Sequence, residues 1–177
     1  MTGDGRLVAI DGTVSAALRA AARALRSDGH KGARLSEWDA SSIFSELAEA
    51  NDQSIPSARV LLLLYATDLA FRLKTEIKPA LAEGRTVIAA PYVRTALALG
   101  RAAGLRGDWL HNLFSFAPPA YESHLITHEG TVVAHDRSGF VEVASRYVSR
   151  SQRGISHDRV LQRTAAFMRK MRHARRY

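Results

Sequence analysis

The sequence contains no cysteine among its 177 residues and has no long apolar run. Without cysteine there can be no disulfide, no thiolate metal site and no cysteine nucleophile. The longest uncharged stretch, Trp109–Tyr121, has 13 residues and includes two prolines, whereas a helix needs roughly 20 apolar residues to cross a bilayer. The first residues also lack the basic and apolar regions of a secretory signal. We therefore expect a cytoplasmic protein with no membrane partner.

The composition is that of a folded protein, with 46% apolar and 24% charged residues. A chain of 177 residues suits one domain, so we predict a single domain over residues 1–177. The net charge of +8 is unevenly placed, because residues 137–177 hold 11 Lys and Arg against only Glu142 and Asp158. This basic helical C-terminal region is a candidate for contact with phosphates, although its few aromatic residues make base stacking a poor fit.

Short apolar segments alternate with amphipathic ones along the chain. This alternation predicts an α/β domain whose parallel sheet is covered by helices on both faces and binds ligands beyond the carboxyl ends of its strands. Val60–Tyr65 is apolar on every side of its helix, which predicts burial in the domain or against another subunit. The predicted strands are 7–10, 33–36, 86–89, 124–127 and 131–134, the last two as a hairpin. The predicted helices are 13–28 with Thr13 as its cap, 57–83, 92–100, 108–117, 140–148 and 157–171.

Two segments, Leu7–Leu18 and 57–109, carry ordered motifs that alternate between apolar strands and helices. They resemble the thymidylate kinase family, which belongs to the P-loop nucleoside monophosphate kinases. Leu7–Leu18 is similar to the opening strand, phosphate loop and first helix of that family. The segment 57–109 matches its middle region, through Ile77-Lys-Pro-Ala-Leu81 and Val87-Ile-Ala-Ala-Pro-Tyr-Val93. The resemblance implies a three-layer, parallel-sheet P-loop kinase-like fold, with a short hairpin near 124–134 and a truncated or altered C-terminal strand and lid. An active member would transfer phosphoryl groups to dTMP.

The catalytic pattern of the family is missing from this sequence. When the loop pattern E-G-x-D-G-x-G-K-[ST]-T is set on residues 8–17, Val14, Ser15 and Ala16 replace a glycine, the lysine and the magnesium-holding hydroxyl. No lysine occurs before Lys31, and the family's Asp-Arg-Tyr reads Ala90-Pro91-Tyr92. Phosphoryl transfer depends on cations placed around the transferred group. We therefore predict a degenerate Walker A loop, no catalytic residues, no Mg·ATP cofactor and no kinase activity.

Several residues still fall on the family's binding positions and could form a remnant nucleotide or nucleoside pocket. Tyr65 matches the aromatic residue that the family lays against the thymine ring, although a tyrosine on an apolar helix is commonly part of the core. Arg19 could hold an anion at the start of its helix or could simply be an exposed arginine. The residues predicted for this pocket are Asp11, Gly12, Thr13, Ser15, Glu37, Tyr65, Asp68 and Tyr92.

Three histidines, His124, His128 and His135, lie close together in the sequence, and the first two share a strand face. No carboxylate completes a zinc set at a matching position, so we expect no metal site.

The leading hypothesis is a catalytically inactive thymidylate kinase-like protein that acts through protein contacts. It would form a homodimer or join an active kinase-like subunit, because thymidylate kinases pair through helical faces. One alternative is a nucleoside- or nucleotide-binding protein, or a kinase-like enzyme with a divergent phosphate site. The other alternative is nucleic-acid contact through the basic C-terminal region.

Overall fold

A computed structural model describes residues 4–49, 56–126, 139–151 and 154–173. The described strands are β1 (Leu7–Gly12), β2 (Arg34–Glu37), β3 (Val87–Ala90) and β4 (Glu122–Ile126). They form one parallel sheet in the order β2-β3-β1-β4. β3 and the first four residues of β1 are apolar, and both strands are buried over their whole length, as expected for central strands covered on both faces. The predicted α/β fold class is confirmed.

Helices cover both faces of the sheet and complete three layers. The described helices are α1 (Ser15–Asp28), α2 (Ile43–Glu49), α3 (Ala58–Arg72), α4 (Lys78–Ala82), α5 (Val93–Ala102), α6 (Gly107–Phe114), α7 (Phe140–Ser151) and α8 (His157–His173). One face packs Val8, Ile10 and Ile88 against α1. The opposite face is covered by residues of α3, α5, α6 and α7, while α8 packs on α5 and α7.

The predicted helix over 57–83 is present, but it is not uniformly α-helical. Ser57 caps α3 by accepting a hydrogen bond from the Val60 N–H at 3.4 Å. A π-helical turn, Leu73–Ile77, then joins α3 to α4. Pro79 accounts for this wider turn, because proline has no N–H to donate to the preceding turn and its ring presses on the carbonyl four residues earlier.

Thr13 does not cap α1, so that prediction is wrong. The helix begins at Ser15, and the cap residue is Val14, which makes no side-chain hydrogen bond there. β1 runs on to Gly12, two residues beyond its predicted end. The helix start is therefore displaced past Thr13.

The strand predicted near 124–127 is confirmed as β4, which pairs in parallel with β1 from Val8↔Glu122 to Gly12↔Ile126. Its predicted hairpin partner, 131–134, lies outside the described residues, as do His128 and His135. Beyond β4 the described chain consists of α7 and α8, close to their predicted limits. Across the described ranges, none of the helices has the length and apolar character required to traverse a bilayer.

Candidate functional site

A cleft of about 270 Å³ opens where β1, β2 and β3 reach their carboxyl ends. This edge is where α/β sheets usually bind ligands. Ser15 and Arg19 of α1 lie on one side of the cleft, and the exposed Glu37 lies at the end of β2. The full lining is Ser15, Leu18, Arg19, Glu37, Trp38, Asp39, Ser45, Ala90 and Pro91.

The connection between β1 and α1 is a tight turn of two residues, Thr13 and Val14. The alignment that set residues 8–17 on a phosphate loop is therefore corrected, because residues 8–12 belong to a buried strand. Gly12 is required by packing: a Cβ there would lie 2.8 Å from the Ile126 carbonyl oxygen. Its N–H donates to Thr95 Oγ1 at 3.1 Å, so this turn is held against α5.

Asp11 links the end of β1 to the start of α5. One carboxylate oxygen accepts hydrogen bonds from the backbone N–H of Tyr92 at 3.0 Å and from the N–H and hydroxyl of Thr95, both at 2.9 Å. Burial raises the pKa of Asp11 above its ordinary value, and the bonds from Thr95 and Tyr92 oppose this shift. The side chain thus caps the helix that follows β3.

Tyr65 lies in the hydrophobic core with no exposed surface. Its hydroxyl donates to the Tyr92 carbonyl at 2.7 Å, and its ring packs on Phe140 at a centroid distance of 4.2 Å. Tyr92 is also buried and donates its hydroxyl to the Pro118 carbonyl at 2.7 Å. Burial raises the pKa of both phenols, so both remain proton donors. Of the two roles considered for Tyr65, core packing is the one adopted in this structure.

Asp68 is buried and organises the loop that follows β2. Its carboxylate pairs with Arg72 Nε at 3.0 Å, accepts the Asp39 N–H at 3.1 Å and accepts both the N–H and the hydroxyl of Ser41. Arg72 is fully buried and also donates to the Pro91 carbonyl at 3.1 Å. Asp68 therefore acts on the cleft indirectly, through the Asp39–Ser41 turn at its rim.

Glu142 of α7 occupies the start of α1. Its Oε1 accepts the Ser15 N–H at 3.1 Å and the Ser15 hydroxyl at 3.3 Å. The remaining space between the β1–α1 turn and the first turn of α7 is only about 10 Å³. A carboxylate at this place is favourable, because the first N–H groups of a helix lack backbone partners and carry partial positive charge.

The structure divides the eight predicted pocket residues into three groups. Gly12 and Thr13 lie at the β1–α1 turn, beside the small cavity next to α7. Ser15 and Glu37 line the cleft, whereas Asp11, Tyr65, Asp68 and Tyr92 are buried in packing and hydrogen-bond networks. Sequence reasoning missed Phe140, Glu142 and Arg72. Only Arg72 carried a usable signal, since it stands four residues after Asp68 on the same helix, where opposite charges meet.

No group of three or more metal-ligating side chains occurs among residues 4–49, 56–126, 139–151 and 154–173. The one predicted histidine within those ranges, His124, places Nε2 2.6 Å from Oε1 of Glu122. This contact joins neighbouring side chains on β4.

No family model matches the chain. A relative from Saccharolobus solfataricus, named "Probable thymidylate kinase 2", is 34% identical over 84 residues, which are 47% of this chain and 39% of the relative. A Pyrococcus abyssi relative, named "Probable thymidylate kinase", is 45% identical over 56 residues, or 32% of this chain and 27% of the relative. The matched part of the chain thus spans less than half the length of these curated relatives.

Among solved structures, the crystal structure of thymidylate kinase from Ehrlichia chaffeensis superposes with a TM-score of 0.56 at 16% identity. The superposition covers 69% of this chain and 74% of that one. At this identity the likeness concerns the fold alone. The resemblance to the thymidylate kinase family, first indicated by two sequence segments, is thus confirmed by sequence matches and by the fold.

Proposed function

We propose that this chain is a catalytically inactive thymidylate kinase-like domain that acts through protein contacts, with a second copy of itself as the partner. The observation that carries the proposal is an apolar stripe left exposed on α3. Val60, Leu63 and Phe71 expose 43%, 48% and 43% of their surface, and their spacing places them on one side of the helix. Leu61, Leu62 and Tyr65 on the opposite side are buried in the core.

Such a stripe is typical of a surface that meets another protein. Two identical α3 helices could pair around a two-fold axis, so that each stripe covers the other. Burying three large apolar side chains stabilises an interface by roughly 25 cal/mol per Å² of apolar surface removed from water. This pairing also explains why Val60–Tyr65 is apolar around the whole helix.

The β1–α1 turn supports the proposed lack of catalysis. A phosphate loop needs several residues to wrap backbone N–H groups around phosphates, together with a lysine and a hydroxyl, but here Thr13 and Val14 alone join strand to helix. The helix then opens with Ser15 and Ala16, and no lysine precedes Lys31. We accordingly propose that the domain binds no Mg·ATP and transfers no phosphoryl group.

Two measurements test this proposal. Light scattering after size exclusion should give a dimer at micromolar concentration, and Leu63→Glu and Phe71→Glu should each give a monomer. Tyr121→Glu is the matched control, because Tyr121 is 69% exposed outside α3 and its replacement should leave the dimer intact. A monomeric wild-type protein in this assay would contradict the proposed homodimer. Phosphorylation of dTMP with ATP and magnesium would contradict the inactivity.

Nucleic-acid contact is a second candidate, favoured by the charge on α8. This helix exposes Arg159, Arg163, Arg169 and Lys170. Its one acidic residue, Asp158, lies 3.5 Å from His157. A cationic stripe of this kind binds phosphate backbones with an affinity that falls steeply with salt.

Fluorescence polarisation with labelled duplex DNA over a range of salt concentrations tests this candidate. Arg163→Glu combined with Lys170→Glu should abolish binding, whereas Arg26→Glu on the exposed side of α1 should not. The wild-type log affinity should fall with log salt by about 0.9 for each phosphate neutralised. A salt-independent signal, or equal binding by the two variants, would exclude electrostatic contact through α8.

A further inference from the structure

Another cavity, of about 270 Å³, lies on the face of the sheet that α5 and α6 cover. Its floor includes Ala9 of β1 and Ser123 of β4, which are paired side by side in the sheet. Among the described residues, it shares no lining residue with the cleft at the carboxyl ends of the strands, and none of its lining residues belongs to α3. The cavity is therefore separate from the cleft and from the apolar stripe on α3.

Most of the cavity wall is apolar and preformed. Leu97 of α5 and Phe114 of α6 are buried there, and Pro118 and Pro119 complete the wall before β4. The Tyr92 hydroxyl donates to the Pro118 carbonyl at 2.7 Å, which fixes this loop against the start of α5. An apolar group of a ligand would thus meet a ready apolar surface, as small-molecule sites usually provide.

A buried carboxylate lines this cavity and uses only one of its two oxygens. Asp11 is 1% exposed. Its hydrogen bonds from Tyr92 and Thr95 all go to Oδ1, and no residue in the described part of the chain donates to Oδ2. Because buried polar atoms normally have a hydrogen-bond partner, Oδ2 is available to a donor group on a ligand.

Arg94 brings a positive charge to the same cavity without pairing with Asp11. Its side chain is half-buried and lines the cavity. The charge of Arg94 acts on Asp11 through space, but the two side chains form no ion pair, and Arg94 pairs with no other carboxylate within the described ranges. Two opposite charges thus stand apart at one cavity, and a molecule that carries both charges can bridge them.

We propose that this cavity binds a free amino acid with an apolar side chain. The ammonium group of the ligand donates to Asp11 Oδ2, and its carboxylate pairs with Arg94. Its side chain packs on Leu97 and Phe114. Burial raises the pKa of Asp11, and the ammonium group would oppose this shift by favouring the ionised carboxylate. The inference goes beyond the proposed function and does not depend on it.

Isothermal titration calorimetry with L-leucine and L-phenylalanine tests the proposal. For each amino acid, two analogues remove one charge each. Isoamylamine and phenethylamine lack the carboxylate, whereas isocaproate and hydrocinnamate lack the ammonium group. Each analogue should bind at least about tenfold more weakly than its amino acid, because it loses one charge-assisted hydrogen bond. Absence of binding by both amino acids, or an analogue that binds as tightly as its parent, would overturn the inference.

Two variants assign the charges to their partners. Arg94→Met removes the guanidinium and should weaken binding of the amino acid at least about tenfold, while the amine analogue should bind no more weakly than before. Asp11→Asn keeps an acceptor oxygen for the start of α5 but loses the charge, so the amino acid should again bind at least about tenfold more weakly. Arg101→Met is the matched control, because Arg101 lies on the same helix and does not line this cavity; it should bind as wild type does.

Backbone NMR of the wild-type protein locates the ligand even if Asp11→Asn fails to fold. Saturation with the bound amino acid should shift the N–H resonances of Arg94 and Ser123 and leave that of Arg19, which lines the cleft, unchanged. Shifts confined to the cleft, or wild-type affinity in Arg94→Met, would show that the ligand does not bridge the two charges and would overturn the inference.

Discussion

Replacing Asp68 should be among the most damaging single changes in this protein. Asp68 and Arg72 form an ion pair at 3.0 Å with no exposed side-chain surface on either residue. Besides this ion pair, three hydrogen-bond donors converge on the carboxylate: the Asp39 N–H, and the N–H and hydroxyl of Ser41. In Asp68→Asn one acceptor oxygen becomes an N–H₂ group, which leaves donors facing a donor and Arg72 without a counter-charge.

Removing one partner of a buried pair costs about 3–5 kcal/mol. At about 2–4 °C per kcal/mol for a domain of this size, the melting temperature should fall by roughly 6–20 °C. Urea denaturation followed by circular dichroism measures the free energy of unfolding directly, and an unchanged m-value verifies that the unfolding remains comparable. Arg72→Met should cost less, because Asp68 keeps three hydrogen bonds. The double variant should cost about 0.5–3 kcal/mol less than the sum of the single ones.

The control is Asp108→Asn, which breaks a closer ion pair with Arg106 at 2.6 Å on the exposed surface. Arg106 also holds the pKa of Asp108 below its ordinary value, yet both side chains are solvated, so we expect no measurable change in unfolding. If Asp68→Asn costs under about 1 kcal/mol, the pair is not the desolvated contact described above and the reasoning from burial fails.

Three further changes test the turn after β1. Gly12→Ala should lower the free energy of unfolding by about 1–3 kcal/mol in urea denaturation, because its Cβ would press on the Ile126 carbonyl; an unchanged value would show that the strands can separate there. Thr95→Val should cost about 1–3 kcal/mol in the same assay, since Asp11 and the Gly12 N–H each lose a partner; full stability would mean that water replaces the hydroxyl. Because burial raises the pKa of Asp11 above 3.8, the folded chain holds its proton more tightly than the unfolded chain does, and stability relative to Asp11→Asn should fall as the pH rises above 3.8. Melting curves across pH test this, and a wild-type protein that gains stability relative to Asp11→Asn as the pH rises would reverse the assigned direction.

Local pattern predicted much of the fold, because the strands and helices of this protein have strong periodicity. Val87–Ala90 is apolar at every position and proved to be a fully buried strand. The Gly84 and Pro56 boundaries correctly enclosed the long helical segment of α3 and α4. The π-helical turn at Leu73–Ile77 was not anticipated, because a helical pattern with one proline near its end does not reveal how the preceding turn will adjust.

Long-range contacts could not be read from local pattern. Glu142 looked like one acidic residue in a basic region, and only the tertiary fold brings it to Ser15. The alignment of residues 8–17 failed for a related reason. The residues after Ile10 are compatible with a loop or with a longer strand, and the pairing of Gly12 with Ile126 on β4 decides between them. Tyr65 likewise depended on tertiary context, since Phe140 arrives from α7 to cover it.

The short β1–α1 turn and the local negative charge both disfavour phosphate binding at the start of α1. A phosphate binds a helix start because backbone N–H groups and a nearby cation face it. Here Thr13 and Val14 are too few to surround a phosphate, and the nearest described partner of the first helical N–H is a carboxylate. An incoming polyphosphate would have to displace Glu142 while its own charge is repelled by that group. A lysine placed at Ser15 alone should therefore not create phosphate binding, because Glu142 would pair with the new ammonium group; both Glu142 and the short turn would have to change.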